Sequence, residues 1–340
     1  MPRVAINGFG RIGRTLLRCA KDSDLDIVAV NDIAPFDNLA YLLKYDSVYR
    51  TWDDVSIQGD RLTAGRWSIK MFNEKDPAAL PWKDMDIDIV LECSGIFLDR
   101  EGASKHLKAG AGKVLLSAPA KDAGADATIV LGVNWHIYDP EKHHIVSNAS
   151  CTTNCAAVVA KVLHDAFGIQ HAFLSTAHAY TASQKVVDSP DKKWRRGRAA
   201  AESIVPTSTG AAKALALVIP ALSGRLHASA LRVPVVCGSI IDFVAQTDRP
   251  VSVGSVNKAF QQASDSDAMK GLLYVSSDEL VSADIIGDSA SARVDLQSTA
   301  VLGDHLVRVA AWYDNEWGYC CRLRDLAIKV GERIPAPAPA

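Results

Sequence analysis

The chain has 340 residues, 48% of them hydrophobic and 22% charged, with a formal net charge of -2. That balance suits a globular protein with apolar residues enough for two domains, and it argues against a polyanionic partner such as nucleic acid. No apolar run is long enough to span a bilayer.

In chain order, Met1-Pro2-Arg3-Val4 enters a strand-like pattern at once, which leaves no room for a signal peptide. Val4 to Asn7 is β-rich and is followed by glycines and a helical stretch from Arg11 to Ala20. Unbroken apolar runs recur at Ile27–Val30, Asp88–Cys93, Lys113–Ser117 and Ala127–Leu131. Such runs, alternating with helical segments, predict a parallel sheet buried on both faces in a doubly wound domain. Past about position 150 the character changes. A helix is predicted over Thr152–Phe167, then longer, alternating strands at Ala172–Ala179, Leu226–Val233, Ser239–Thr247, Ala292–Gln297 and Leu306–Tyr313. Between them Thr181 to Thr207 lacks periodicity and carries Lys192, Lys193, Arg195, Arg196 and Arg198; a loop of this length is usually functional. Asn315 to Gly331 predicts a last helix, and the Pro-Ala repeat at 335–340 a disordered tail.

Gly8-Phe9-Gly10-Arg11-Ile12-Gly13 is a GxGxxG. Alone it also marks ordinary turns, but here it follows a strand, opens a helix and has Asp32 at the end of the next strand. Gly8 permits the tight turn, Gly10 admits a pyrophosphate to the backbone, and Gly13 lets helix and strand pack closely. The helix N-terminus suits the phosphates, and Asp32 suits a ribose 2′-OH while repelling a 2′-phosphate. The expected cofactor is therefore NAD rather than NADP.

Seven cysteines stand at 19, 93, 151, 155, 237, 320 and 321. The odd number and the absence of CxxC speak against a disulfide framework and a structural metal site, and for a reducing, cytoplasmic setting. Cys151, in Ser147-Asn148-Ala149-Ser150-Cys151-Thr152-Thr153-Asn154-Cys155, falls in the first turn of the predicted helix with Ser150 or a neighbour as N-cap. There the helix dipole favours a thiolate. Cys155, one turn on, reads as a small packed residue. A nucleophilic thiol needs a base. His178, at the end of a strand just before the basic loop, is the candidate, although a lone histidine at a strand end is more often a satisfied structural residue.

The motifs INGFGRIGR (6–14), SNASCTTNC (147–155), HAYT (178–181), STGAAKA (208–214), RVP (232–234) and WYDNEWGY (312–319) together resemble the phosphorylating glyceraldehyde-3-phosphate dehydrogenases, collinearly up to about Gly331. The resemblance implies an α/β fold with a Rossmann-type NAD-binding domain at 1–150 and an α+β catalytic domain with a mainly antiparallel sheet at 151–315. It implies a helix at 316–334 packing back on the first domain, ahead of the tail at 335–340.

The resemblance also implies a mechanism. Cys151 attacks the aldehyde of glyceraldehyde 3-phosphate, His178 acts as base, and a thioester on Cys151 is released by inorganic phosphate. Thr181 and Arg232 would hold the substrate phosphate, and Ser150, Thr152, Thr209 and Gly210 the attacking one, with Arg196 serving phosphate as in some members. Arg11, Ile12, Asp32, Lys75, Ser117, Asn315 and Tyr319 match cofactor positions beside the three glycines. A homotetramer is implied, with no membrane or nucleic-acid partner and no metal.

Three places depart from the family's common pattern: Ala182-Ser183-Gln184 after Thr181, Val235-Val236-Cys237-Gly238 after RVP, and the pair Cys320-Cys321. Four other readings compete with this one. Erythrose-4-phosphate dehydrogenase shares the fold and nucleophile motif, but Thr181 argues against it. Against an NADP-preferring biosynthetic form stand Asp32-Ile33 and Ser189-Pro190, Ser189 leaving some dual use open. A non-catalytic NAD-binding thiol sensor would not need His178, both phosphate sets and Asn315. A non-phosphorylating aldehyde dehydrogenase would not need a second anion site.

Overall fold

The computed structural model describes residues 1–334; the tail at 335–340 lies outside the described residues. The chain divides into two compact units. One comprises Met1–Ile129, His136–Ala149 and the chain from Cys320 on; the other comprises Val130–Trp135 and Ser150–Tyr319. The second unit thus takes in the short segment Val130–Trp135, which the sequence reading placed in the first.

The first unit is built on a nine-stranded sheet. Its strands are β1 (Arg3–Asn7), β2 (Asp26–Asn31), β5 (Val55–Gln58), β6 (Arg61–Ala64), β7 (Trp67–Phe72), β8 (Ile89–Glu92), β9 (Lys113–Leu116), β10 (Ala127–Thr128) and β11 (Ile145–Ser147). A separate two-residue ladder pairs β3 (Tyr45–Asp46) with β4 (Arg50–Thr51). The order is β10-β11-β9-β8-β1-β2-β7-β6-β5, parallel except for the β7-β6-β5 meander. Helices α1 (Arg11–Cys19), α2 (Phe36–Lys44) and α3 (Arg100–Lys108) connect them. Strands β8, β9 and β11 are buried at every position, as a parallel sheet covered on both faces requires. Chain order reverses at β1, which lies between β2 and β8, so a crevice opens at the carboxyl ends of these strands. The run predicted to extend to Leu131 pairs only over Ala127–Thr128. Beyond it Asn134 Oδ1 accepts from Val130 N at 2.8 Å and turns the chain.

The second unit opens with α4 (Cys151–Phe167) and carries a seven-stranded sheet, with α5 (Ala211–Val218) and α6 (Val253–Ser264). Its strands are β12 (His171–Ala179), β13 (Val205–Thr207), β14 (Leu226–Val233), β15 (Ser239–Gln246), β16 (Leu273–Ser276), β17 (Ala292–Leu302) and β18 (Leu306–Tyr313), in the order β13-β14-β12-β15-β18-β17-β16. The sheet is mainly antiparallel, but β12 pairs β14 in parallel, as β16 pairs β17. β12 alternates, burying Ala172, Leu174 and Thr176 and exposing others, such as Phe173. β17 runs past the predicted end at Gln297 through a register shift between Asp295 and Ala300, within which Ser298 N and Oγ both bond to Asp295. The last helix, α7 (Trp317–Gly331), belongs to the first unit from Cys320 on. There Cys320 Sγ donates to Ile12 O at 3.5 Å and Arg324 Nη1 to Cys19 O at 2.9 Å.

Candidate active site

In the first unit the GxGxxG turn lies where β1 meets α1. Gly8 has φ +92°, and a Cβ on it would collide with the main chain of Ser94. A Cβ on Gly13 would strike the carbonyl of Gly8, which is the close helix–strand packing the motif requires. Gly10 is the N-cap of α1 and has no side chain to cap the first turn. A cavity of about 360 Å³ opens beside it, of the size of a small-molecule site. Its walls are the ends of β1 (Asn7, Gly8) and β2 (Asn31, Asp32), with Glu74 and Lys75 after β7 and Ser94 and Phe97 after β8.

Asp32 Oδ2 accepts from Phe9 N at 2.6 Å and Oδ1 from Ala34 N at 2.9 Å, leaving each oxygen a lone pair for a ribose hydroxyl. Among the expected cofactor residues, Gly8, Gly10, Asp32 and Lys75 line this cavity; Arg11, Ile12, Gly13 and Ser117 do not. The Arg11 guanidinium is engaged by Asp46 and lies over the Tyr49 ring, so its side chain is held within the protein. Ser117 N donates to Glu92 O at 3.0 Å. Asn7, Asn31, Glu74, Cys93, Ser94, Ile96 and Phe97 were not singled out from the sequence; the signal available was a second glycine turn, Ser94-Gly95, directly after a buried strand.

In the second unit Ser150 is the N-cap of α4. Its Oγ accepts from Thr153 N at 3.0 Å and pairs with Thr153 Oγ1 at 2.7 Å. Cys151 is the first helical residue, and its Sγ lies 3.4 Å from His178 Nε2 at the end of β12. The parallel register sets Arg232 of β14 directly opposite His178. Its Nη1 donates to Ala179 O at 2.9 Å and stands 2.5 Å from His178 Nδ1, itself 2.6 Å from Ala179 O.

Burial, and secondarily the Arg232 cation, push His178 down to about 3, so the imidazole is neutral across the physiological range. Burial also pushes the Cys151 thiol up, against the opposing pull of Arg232 and Thr152. The resting pair is therefore thiol and neutral imidazole, rather than the dipole-stabilised thiolate expected from the sequence. In the tautomer that donates Nδ1–H to Ala179 O, His178 presents an Nε2 lone pair to the thiol: a nucleophile with its base in reach.

Tyr313 completes this pocket and was not singled out from the sequence, although it lies in the WYDNEWGY motif. Its hydroxyl bonds Thr152 Oγ1 and Thr176 Oγ1, each at 2.9 Å, and its ring meets the edge of His178. Thr209 and Gly210 stand at the start of α5, Thr209 Oγ1 accepting from Ala211 N at 3.2 Å and Gly210 serving as N-cap. Arg196 Nε donates to Thr207 Oγ1 at 3.0 Å, and Thr181 Oγ1 pairs with Ser183 Oγ at 2.9 Å. Asn315 is buried, its Oδ1 accepting from Ser239 Oγ at 2.8 Å, which orients its amide; Tyr319 is buried too. The unusual Cys237 has more than a packing role, since its thiol donates to Asp314 Oδ1 at 3.1 Å, next to Asn315. None of the seven cysteines forms a disulfide among the described residues. Among the described residues no group of three or more His, Cys, Asp or Glu is disposed to hold a metal, and no helix is long and apolar enough to cross a membrane.

Comparison with known proteins places both units. A family model described as the glyceraldehyde 3-phosphate dehydrogenase NAD binding domain matches residues 2–100, and one described as the C-terminal domain of the same enzymes matches 150–315. The chain is 50% identical over 335 residues to a glyceraldehyde-3-phosphate dehydrogenase of Streptomyces coelicolor, covering 98% of this chain and 99% of the relative. It is 49% identical over 333 residues to one from Geobacillus stearothermophilus, covering 97% and 98%. A third, from Trichormus variabilis, is 50% identical over 338 residues, covering 98% and 99%.

Proposed function

The chain belongs to the glyceraldehyde-3-phosphate dehydrogenase family, and on that premise we propose that it oxidises D-glyceraldehyde 3-phosphate to 1,3-bisphosphoglycerate with NAD and inorganic phosphate, in glycolysis and gluconeogenesis. The observation that carries this reading is the 3.4 Å approach of Cys151 Sγ to His178 Nε2 at a helix N-terminus, with Arg232 in register beside them.

Cys151 Sγ attacks the aldehyde carbon while its proton passes to His178 Nε2. The main-chain N–H of Cys151 faces the developing oxyanion together with His178. Bound NAD supplies the hydride acceptor, and the acyl group is left as a thioester on Cys151. A phosphate oxygen then attacks that carbon, the C–S bond breaks and Cys151 is restored. Arg232 and Thr181 hold the substrate phosphate. For the attacking phosphate, the start of α5 at Thr209 and Gly210 offers main-chain donors, joined by Ser150, Thr152 and Arg196. Asp32, Lys75, the glycine turn, the main chain of Arg11 and Ile12, Ser117, Asn315 and Tyr319 serve the cofactor. The fit of NAD to the first unit rests on the uncapped start of α1 and on Asp32, which is placed at the cavity with acceptor capacity to spare.

The protein works as a homotetramer in the cytoplasm. Val186, Val187 and Trp194, exposed on the 181–207 segment at 81%, 70% and 89%, support burial of that segment against another subunit. The free thiols suit a reducing compartment.

The test is NADH formation from glyceraldehyde 3-phosphate with and without inorganic phosphate, beside NADP and erythrose 4-phosphate controls. Phosphate-dependent NADH production is expected. Turnover with erythrose 4-phosphate alone would overturn the substrate assignment, and NAD binding without turnover would overturn the catalytic one.

A further inference from the structure

Behind the cofactor cavity lies a buried polar chain that the mechanism does not use. His106, on α3, is fully buried and does not line the cavity. The indole Nε1 of Trp82 lies 3.0 Å from its Nδ1, and its Nε2 lies 3.1 Å from Glu92 Oε2. An indole N–H can only donate, so Nδ1 is the acceptor and the ring carries its proton on Nε2, directed at Glu92. Glu92, also fully buried, receives three further donors: Asn7 Nδ2 on Oε2 at 2.6 Å, and Ser94 N and Oγ on Oε1 at 2.7 and 2.5 Å. Asn7 in turn accepts at Oδ1 from Asn31 Nδ2 at 2.7 Å, and Asn31 Oδ1 accepts from Glu74 N at 2.8 Å. Asn7, Asn31, Glu74 and Ser94 all line the cavity, and so does Phe97, whose ring meets the edge of His106.

One carboxylate therefore ties together the loops after β1 and β8, and through Asn7 and Asn31 reaches those after β2 and β7. A carboxyl group at zero exposure depends on its donors staying in place. His106 is the donor that comes from outside the cavity, and Trp82 determines which of its nitrogens carries the proton. We infer that His106, held in its Nε2–H form by Trp82, is a positioning residue for the dinucleotide: it sets the width and shape of the ribose end of the cavity through Glu92. This rests on the cavity beside Asp32 being the cofactor site.

The test uses the full-length protein in its native assembly and compares His106→Leu, His106→Gln, Trp82→Phe and Asp32→Ala. Dissociation constants for NAD are measured by calorimetry, alongside steady-state kinetics and alkylation of Cys151 by iodoacetamide without cofactor. His106→Leu removes the donor to Glu92 and should weaken NAD binding at least tenfold, with kcat at saturating NAD, KM for the aldehyde and cofactor-free alkylation within twofold of the parent. His106→Gln keeps an N–H for Glu92 and an oxygen for Trp82, and should recover NAD affinity to within threefold. Trp82→Phe, which keeps the aromatic packing, should give an intermediate loss and decides the matter if the leucine variant does not fold. Loss of kcat with an unchanged NAD constant, or a glutamine variant as weak as the leucine one, would overturn the inference. If Asp32→Ala weakens NAD binding but neither His106→Leu nor Trp82→Phe does, the positioning role fails alone. If Asp32→Ala also leaves the constant unchanged, it is the site assignment that fails.

Discussion

Arg232 stands opposite His178 in the parallel β12–β14 register, its Nη1 2.5 Å from His178 Nδ1 and 2.9 Å from the Ala179 carbonyl. One cation thus faces both the candidate base and the expected position of the substrate phosphate. It lowers the basicity of His178 and opposes the upward push of burial on Cys151.

Arg232→Ala should therefore have two separable effects. Loss of a charge-assisted donor raises KM for glyceraldehyde 3-phosphate by roughly 10- to 100-fold. Loss of the nearby cation shifts the pH midpoint of Cys151 alkylation upward. Iodoacetamide rates measured against pH check the second effect; a midpoint that does not move would separate Arg232 from the thiol.

Cys151→Ser replaces a polarisable nucleophile by a hydroxyl of far higher pKa at the same place. Turnover should fall by roughly a thousandfold or more while the NAD dissociation constant stays within a few-fold of the parent. Substantial phosphate-dependent activity in this variant would mean that another group attacks.

His178→Asn keeps some hydrogen bonding but removes the base. The expected loss in kcat is roughly 10²- to 10⁴-fold. Single-turnover kinetics should locate that loss in formation of the thioester; an unaffected acylation rate would reassign the base.

The same histidine predicts an acid limb in stability. Unfolded, its ordinary pKa is 6.5; folded, burial and Arg232 lower it to about 3. The unfolded chain therefore binds a proton that the folded chain does not, and stability present above pH 6.5 is lost as pH falls toward 3. The slope is about 1.4 kcal/mol per pH unit for the one proton. Urea midpoints of the Cys151→Ser and the doubly substituted Cys151→Ser/His178→Asn proteins between pH 4 and 7 check this. The double variant should show a slope smaller by one proton.

Asp32→Ala removes the carboxylate that would meet a 2′-phosphate. The ratio of NADP to NAD activity should rise roughly tenfold or more. An unchanged ratio would show that the ribose is read elsewhere.

Features that are local in the chain could be read without tertiary information. The glycine turn, the acid at the end of β2, the serine cap with Cys151 in the next turn, and the buried or alternating strands are contiguous patterns whose geometry follows from φ/ψ preferences and side-chain periodicity. For that reason the boundaries of β14 and β18 were expected at Leu226–Val233 and Leu306–Tyr313, where they are found. The β5–β7 meander, α2, α3 and α6 were not anticipated, since their short runs carry weaker periodic signals.

Period-2 patterning says which face a residue occupies, but neither which strand lies beside it nor in what register. Only the tertiary structure set Arg232 against His178, 54 positions apart, through a parallel pairing within a mainly antiparallel sheet. It likewise joined Tyr313 to Thr152, and Trp82 through His106 and Glu92 to Asn7. Protonation states belong to this second class as well. A helix N-terminus in isolation favours a thiolate at Cys151, whereas burial in the folded unit outweighs it and leaves a thiol beside a neutral imidazole.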